Sequence, residues 1–405
     1  HYYSLLLRPI ESDLRDDKTY FIREWGDNVD DWNAQNSDSR VARGWGEVPM
    51  LIQAEHYANP SYIKKYPILC YETICNKPKQ IVGACFWHSF DHQRGYHPDP
   101  YWGGIYDAFR QKKYAYEVFR SQSPASLQHP LAECGPMIFI AHEMSQFSDK
   151  DVVVFTNCDS VRLSIYDGTK TWTKPVVHAK GHMPNAPVIF ENVWNFWEAR
   201  GYSYTQKNWQ KVNMVAEGII DGKVVCTQKK MPSRRSTKLR LYVDTQKVNL
   251  IADGSDFIVV VAEVTDDSGN VRRLAKENIV FTVEGEGEII GDATIGANPR
   301  AVEFGSAPVL IRSTRKAGKI KVKARVQFEG TQAPTATEIE LESVPAELPF
   351  CYEEQAYEIQ RTTPSTLNAN PGKESSEGKV QLTEEERQRV LDEVERQQTE
   401  FGTEK

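Results

Sequence analysis

The amino-acid order predicts a multidomain chain: the last strands and helices of a (β/α)8 TIM barrel, two immunoglobulin-like β-sandwich domains and a C-terminal helical tail. Three observations carry that prediction. Up to about residue 125, apolar strands alternate with helical stretches, and polar residues gather after each strand, the order of a parallel α/β barrel. From about Glu133 the texture changes to short strands separated by Asp-Gly turns, as in antiparallel sheets. Beyond about Arg361 the chain is rich in Thr, Pro, Asn, Gly and Ser before a charged end, the composition of a flexible linker. The expected division is 1–125, 133–231, 237–345 and 346–405.

The first strand is Thr19-Tyr20-Phe21-Ile22, rich in β-branched and aromatic residues, which runs into Arg23-Glu24-Trp25-Gly26-Asp27. A carboxylate where a buried strand leaves its sheet costs several kcal/mol unless it is paired or used. In parallel barrels the C-terminal strand ends are where catalytic groups sit. Glu24 is therefore the first candidate for chemistry; the alternative is a structural ion pair with Arg23, Arg40 or Arg43. A polar loop follows, Asn28 to Gly46, and loops of that length are usually functional or disordered. The next region, Pro49 to Cys75, reads as helical, interrupted at Asn59-Pro60 and Pro67. A second strand, Ile81 to Trp87, leads into His88-Ser89-Phe90-Asp91-His92. Ala108 to Gln122 has a helical period, with Phe109, Tyr116 and Phe119 on one side.

In the β-rich half, Val152 to Phe155, Val161 to Tyr166 and Val212 to Gly218 read as strands. Asp167-Gly168 and Asp221-Gly222 supply turns. Pro232-Ser233-Arg234-Arg235-Ser236 reads as a linker to a second β module. There Phe257 to Val264 and the cleanly alternating Ile320 to Val326 suit strands, and strands at such spacing indicate an immunoglobulin-like sandwich. Near the end, Thr383 and Glu386 form a capping box for a terminal helix. Its thin stripe of Val390, Leu391 and Val394 fits a solvated helix or one docked on a partner.

Bulk properties exclude several function classes. The 405 residues suffice for two to four domains, and the net charge of −7 argues against a nucleic-acid partner. No run of about 18 apolar residues is present to span a membrane. The seven Cys, at 70, 75, 85, 134, 158, 226 and 351, include no CxxC pair. They read as neither a disulfide framework nor a zinc site, but as buried thiols. The His, Asp and Glu lack metal-ligand spacing, so neither a metal nor a cofactor is expected. Nine Trp and eighteen Tyr suit platforms that stack on sugars, although such rings more often fill cores. The opening His1-Tyr2-Tyr3-Ser4-Leu5-Leu6-Leu7 lacks Met and a signal-peptide pattern, and reads as a cut through a larger protein.

Phe21-Ile22-Arg23-Glu24-Trp25-Gly26-Asp27, then Gly83-Ala84-Cys85-Phe86-Trp87-His88-Ser89-Phe90-Asp91, then Trp102-Gly103-Gly104-Ile105-Tyr106-Asp107 together resemble the end of the catalytic barrel of glycoside hydrolase family 2. This is the family of β-galactosidases, β-glucuronidases and β-mannosidases. Asp253-Gly254-Ser255-Asp256 and the stretch Gly305 to Thr314 resemble the C-terminal domains of its β-galactosidase-like members. The resemblance spans about residues 1–345 and implies retaining hydrolysis of a β-glycoside. It places Glu24 as nucleophile on the seventh strand and Trp87 as a sugar platform on the eighth. Trp25, Asp27, His88 and Asp91, with His92 beside them, would line the pocket. Four of these have a structural alternative: lid packing for Trp87, a satisfied buried group for His88, Asp91 and His92.

Two departures accompany the resemblance. Asp27 stands where some β-galactosidases carry a sugar-binding His. No Asn-Glu pair, the family's acid/base signature, precedes Glu24. The expectation is a chain that supplies the nucleophile half of a site, inactive alone. Its expected partners are a β-linked sugar or oligosaccharide and the N-terminal part of the barrel, on the same or a separate chain. A homo-oligomer is also compatible. Arg40 and Arg43 would suit a carboxylate or sulfate on the substrate, or would pair with Asp30, Asp31 or Asp38. The rival readings are β-glucuronidase specificity and a non-catalytic carbohydrate-binding or scaffold protein. The expected location is periplasmic or secreted, in a bacterium.

Overall fold

In the computed structural model, the described residues are 18–26, 37–58, 71–75, 77–87, 89–93, 100–130, 132–178, 183–243, 248–347 and 388. Asp27, His88 and, apart from Gln388, the terminal tail with its capping box lie outside them. The described residues from 18 to 347 belong to one compact unit.

The first strand, β1 (Tyr20–Trp25), pairs in parallel with β2 (Ile81–Phe86). Parallel neighbours need a long crossover, and here it contains α1 (Glu47–Ala58) and α2 (Tyr71–Cys75). α1 starts ahead of Pro49, which sits in the first turn where its missing N–H is harmless, and stops just before Asn59-Pro60. After β2 comes α3 (Tyr114–Arg120), shorter than the helical period of residues 108–122. The cause is local: the Asp107 carboxylate accepts the N–H groups of Phe109 and Gln111 at 2.8 and 2.9 Å, and Arg110 takes a left-handed φ of 63°. That turn excludes helix until Tyr114. Ile22 and Trp25 pack with Phe86 and Phe119, whereas Phe21 and Val82, on the opposite face, are 57% and 65% exposed.

The next module has β3 (Ile138–Ile140), β4 (Val152–Thr156), β5 (Ser160–Ile165), β6 (Lys170–Pro175), β7 (Val188–Phe190), β8 (Met214–Ile220) and β9 (Lys223–Lys230). These form sheets ordered β3-β4-β7 and β6-β5-β8-β9. Val161, Leu163 and Ile165 alternate inward along β5 and meet Val152, Val154 and Phe190 of the other sheet in one core. The β8–β9 hairpin turns on Asp221-Gly222, both with positive φ (49° and 73°), the backbone that matches strand twist. A short helix, α4 (Phe196–Arg200), begins on Asn195, whose side chain accepts from the N–H groups of Trp197 and Glu198.

The third module contains β10 (Lys238–Val243), β11 (Leu250–Ala252), β12 (Phe257–Thr265), β13 (Asn278–Gly285), β14 (Gly287–Ile290), β15 (Arg300–Ala301), β16 (Ser306–Ser313), β17 (Lys319–Val326) and β18 (Thr337–Pro345). One sheet runs β10-β12-β16-β14 and the other β11-β18-β17-β13-β15. Val260, Ala262, Val264 and Val309 face Ile279, Phe281, Ile320 and Val322 across the gap, the arrangement of a β-sandwich. A further cluster joins Met50, Ala54 and Tyr114 to Val153 and Phe155 of β4 and to Phe304. The helices beside β1 and β2 therefore pack against both sandwiches.

Candidate active site

Two adjacent strand ends define the candidate site. In the β1–β2 register Phe21 lies opposite Gly83, Ile22 opposite Ala84 and Trp25 opposite Phe86. Trp87 N–H donates to the Trp25 carbonyl at 2.6 Å, so the C-terminal ends of the two strands leave the sheet together. The β1 backbone carries Glu24 one residue before Trp25, beside Phe86 and Trp87. A Cβ at Gly83 would stand 2.7 Å from Cε2 of the exposed Phe21 ring, which would have to move aside.

Trp87 is 37% exposed and meets His92 edge-on, with ring centroids 6.3 Å apart. His92 exchanges both backbone hydrogen bonds with Tyr101, at 3.1 and 2.8 Å, so its position is set by main chain. Trp25 differs from the sugar-contacting role expected of it. Its ring is 5% exposed and packs edge-on against Phe86 and Phe119, at 5.7 and 6.2 Å. Its indole N–H is buried and has no hydrogen-bond partner among the described residues.

Asp91 also departs from the expected pocket role. Its carboxylate is buried, accepting from Lys113 Nζ at 2.7 Å and from Gly104 N–H at 3.0 Å. Burial pushes the Asp91 carboxyl up to about 7, against the lowering effect of Lys113 and the Gly104 bond. The same burial lowers the Lys113 ammonium, which donates in addition to the carbonyls of Val41 and Trp102, at 2.5 and 3.0 Å. This pair clamps the segment that follows β2, and with it the approach to Trp87. A clue stands in the chain as Gly103-Gly104: a Cβ at Gly104 would lie 2.4 Å from both Asp91 N and the Tyr106 carbonyl.

Arg40 and Arg43 are buried; of the carboxylates expected to pair with them, Asp30 and Asp31 lie outside the described residues. Arg40 lies over the Tyr101 ring, 4.8 Å from its centroid. Arg43 donates to the Glu303 carbonyl at 2.9 Å and to Ser306 Oγ at 2.8 Å, tying the crossover to the third module.

The helices beside the strand ends are held from behind by a cluster that sequence reading missed. Glu143 accepts from Tyr114 Oη at 2.6 Å, from Lys230 Nζ at 2.8 Å and from Arg273 Nε at 3.3 Å. Burial alone would raise its carboxyl, but Lys230 and Arg273 hold it down at about 2. Glu47 of α1 accepts the Glu143 N–H at 2.8 Å and Ser148 Oγ at 2.6 Å. Next to it, His142 accepts from Met144 N–H through Nδ1 at 3.0 Å and donates through Nε2 to the Asp149 carbonyl at 2.8 Å. That tautomer is neutral, and burial lowers the imidazole to about 4.

A cleft of about 880 Å³ opens between α3 and the two sandwiches, lined by Arg110, Lys112, Tyr116, Glu133 and Tyr242. Trp25, Trp87 and Asp91 do not line it. Among the described residues, no group of three or more His, Cys, Asp or Glu could hold a metal ion, and no helix is long and apolar enough to cross a membrane.

Comparison with known proteins matches residues 239–333, from β10 to β17, to the model of glycoside hydrolase family 2 C-terminal domain 5. The chain is 30% identical over 256 residues to a β-galactosidase of Thermoanaerobacter pseudethanolicus, covering 61% of this chain and 32% of that protein. It is 28% identical over 184 residues to a β-glucuronidase of Formosa agariphila, covering 44% of this chain and 16% of that protein. The chain thus spans about a third or less of the length of these relatives. A solved β-glucuronidase from glycoside hydrolase family 2 superposes with a TM-score of 0.52 at 21% identity, over 81% of this chain and 32% of that one. That likeness is one of fold.

Proposed function

We propose, from the premise that the chain belongs to glycoside hydrolase family 2, that it contributes to a retaining β-glycosidase of β-galactosidase type, with Glu24 as nucleophile. The observation that carries the reading is the parallel pairing of β1 with β2, which sets the residue position of Glu24 beside Trp87 at the C-terminal ends of both strands. Catalytic groups of a parallel barrel stand at such ends. The exposed Phe21 and Val82 support a larger (β/α)8 barrel, whose other strands cover that face and the open edges of the pair. The printed name of the Thermoanaerobacter relative favours a β-galactoside as substrate.

In this reading the Glu24 carboxylate attacks the anomeric carbon as a second carboxyl group protonates the leaving oxygen. The resulting glycosyl-enzyme is hydrolysed by water, with the second group now acting as base. That second group belongs about 5–5.5 Å from Glu24, and we assign it to a barrel strand other than β1 and β2. Trp87 forms a wall for the sugar ring, and Asp27 and His88 are assigned to binding the same sugar. The two sandwiches are accessory, and the 405-residue chain alone is inactive. A periplasmic or secreted location belongs to the same proposal.

A 2-deoxy-2-fluoro-β-galactosyl fluoride tests this on the full-length parent, since it traps the covalent intermediate. The expected result is a glycosyl adduct on the peptide containing Glu24, and a loss of turnover of about 10³-fold or more in Glu24→Gln. An adduct on another carboxylate, or unchanged turnover, overturns the assignment. Faster hydrolysis of an aryl β-glucuronide than of the aryl β-galactoside would select the alternative specificity, which the name of the Formosa relative favours.

A further inference from the structure

Two thiols distant in sequence meet inside the first sandwich. Cys158 follows the end of β4 and is fully buried, whereas Cys226 lies on β9 and is partly exposed. Their sulfurs are 3.6 Å apart. Three features of the fold produce this approach. On β9 an extra residue, Val225, intervenes between the Gly218–Cys226 and Ile219–Val224 pairs, and a bulge of this kind re-aims the side chain beside it. Gly218 leaves the space: a Cβ there would lie 2.6 Å from both sulfurs. The Cys158 backbone is fixed by its N–H bond to Thr156 Oγ1 at 3.2 Å. Nothing stands between the two sulfurs, and a covalent bond needs them only about 1.5 Å closer.

We propose that Cys158 and Cys226 are a redox dithiol that a disulfide oxidant closes into an intramolecular disulfide, tying β9 to the end of β4. The partly exposed Cys226 is the entry point. Its sulfur attacks one sulfur of the oxidant, R′S–SR′, releasing R′S⁻, which takes up the Cys226 proton as R′SH. Cys158 as thiolate then attacks Cys226 Sγ in the mixed disulfide and expels the second R′S⁻, which takes up the Cys158 proton. Two thiols are oxidised and one oxidant disulfide is reduced to two R′SH. In the reduced pair the hydrogen bond with Cys226 draws the Cys158 thiol down to about 7; in the closing step, where Cys226 no longer carries a proton, Cys158 gives its own proton to the departing R′S⁻. The scattered cysteine spacing gives no hint of this pair, because the contact depends on a bulge and a glycine on different strands.

The test uses the full chain incubated with excess oxidised glutathione and then alkylated without reduction. The expected outcome is an intact mass lower by about 2 Da before alkylation, and two fewer alkylated thiols after it. Unreduced peptide maps should link the Cys158 and Cys226 peptides, and dithiothreitol should reverse all three signs. The oxidised protein should also unfold several degrees higher, because the bond closes a long loop. Cys158→Ala and Cys226→Ala should each abolish these changes, whereas Cys134→Ser should retain them. A glutathione adduct that persists on Cys226, linkage to another cysteine, or alkylation of both thiols after oxidation overturns the proposal. The wild-type peptide map decides even where a variant fails to fold.

Discussion

Lys113 Nζ stands 2.7 Å from Asp91 Oδ1 in an ion pair that both side chains bury almost completely. Such a pair need not stabilise a fold relative to an apolar replacement, but breaking it on one side leaves an uncompensated charge indoors. Here it also fixes where the chain goes after β2, because the same ammonium holds the carbonyls of Val41 and Trp102.

Asp91→Ala should therefore destabilise the protein by about 3–5 kcal/mol. Lys113→Met should cost less, because Asp91, already raised to about 7, can take a proton once the ammonium is gone. The double variant Asp91→Asn with Lys113→Met should lie closer to wild type than Asp91→Ala does. Urea unfolding at pH 7.5 measures all three, and a neutral Asp91→Ala would contradict the clamp.

His142 should make stability fall on mild acidification. The unfolded imidazole takes up a proton below about 6.5, whereas the folded one resists until about 4. Over that window the unfolded state holds more protons, so stability is complete above pH 6.5 and declines toward pH 4 by up to about 3 kcal/mol. His142→Gln can keep both hydrogen bonds without titrating. Its stability should match wild type within about 1 kcal/mol at pH 7.5 and exceed it at pH 4.5. Parallel urea curves for the two proteins at those pH values would reject the idea.

Glu143 should govern a more acidic window. Its folded carboxyl titrates near 2, below its ordinary 4.5, so its contribution is present above pH 4.5 and is lost as the pH falls toward 2. The linkage amounts to about 3 kcal/mol. Glu143→Gln should be less stable than wild type at pH 6, and most of that gap should be gone by pH 2.5. A gap that stays constant across acid unfolding curves would show that the Lys230 and Arg273 pairing is not its source.

These features differ in how far the amino-acid order exposes them. Ile320 to Val326 alternate cleanly, and Asp221-Gly222 can form the tight hairpin, so local pattern and sandwich structure agree. The ends of β1 and β2 are legible for the same reason: each is an apolar run that stops on polar residues. Asp91 is not, since its partner lies 22 residues away and a lysine beside a helix reads as solvated. Arg43 reads as a substrate contact or as the partner of a nearby Asp, because Ser306, which it bonds, is 263 residues distant. Glu143 gathers Tyr114, Lys230 and Arg273 from three parts of the chain, and no spacing rule connects them.

Gly104 offers the most direct test of how the clamp positions the candidate site. A Cβ there would come within 2.4–2.5 Å of Asp91 N, the Tyr106 carbonyl oxygen and Phe90 C. All three are main-chain atoms, which cannot rotate aside as a flexible side chain does. Gly104→Ala must therefore push the segment after β2 away from the 101–106 strip, at a cost of about 1–3 kcal/mol. Gly46→Ala is the matching control: nothing lies near its Cβ, but its φ of 100° disfavours any side chain. That substitution should cost about 1 kcal/mol through backbone strain alone. If the clamp sets the position of Trp87, Gly104→Ala should also shift Trp87 fluorescence, read as the difference from the same pair on a Trp87→Phe background. Gly46→Ala should leave that difference unchanged. A Gly104→Ala protein with wild-type stability and an unshifted Trp87 signal would mean that the segment after β2 is positioned by something other than the Asp91–Lys113 contact.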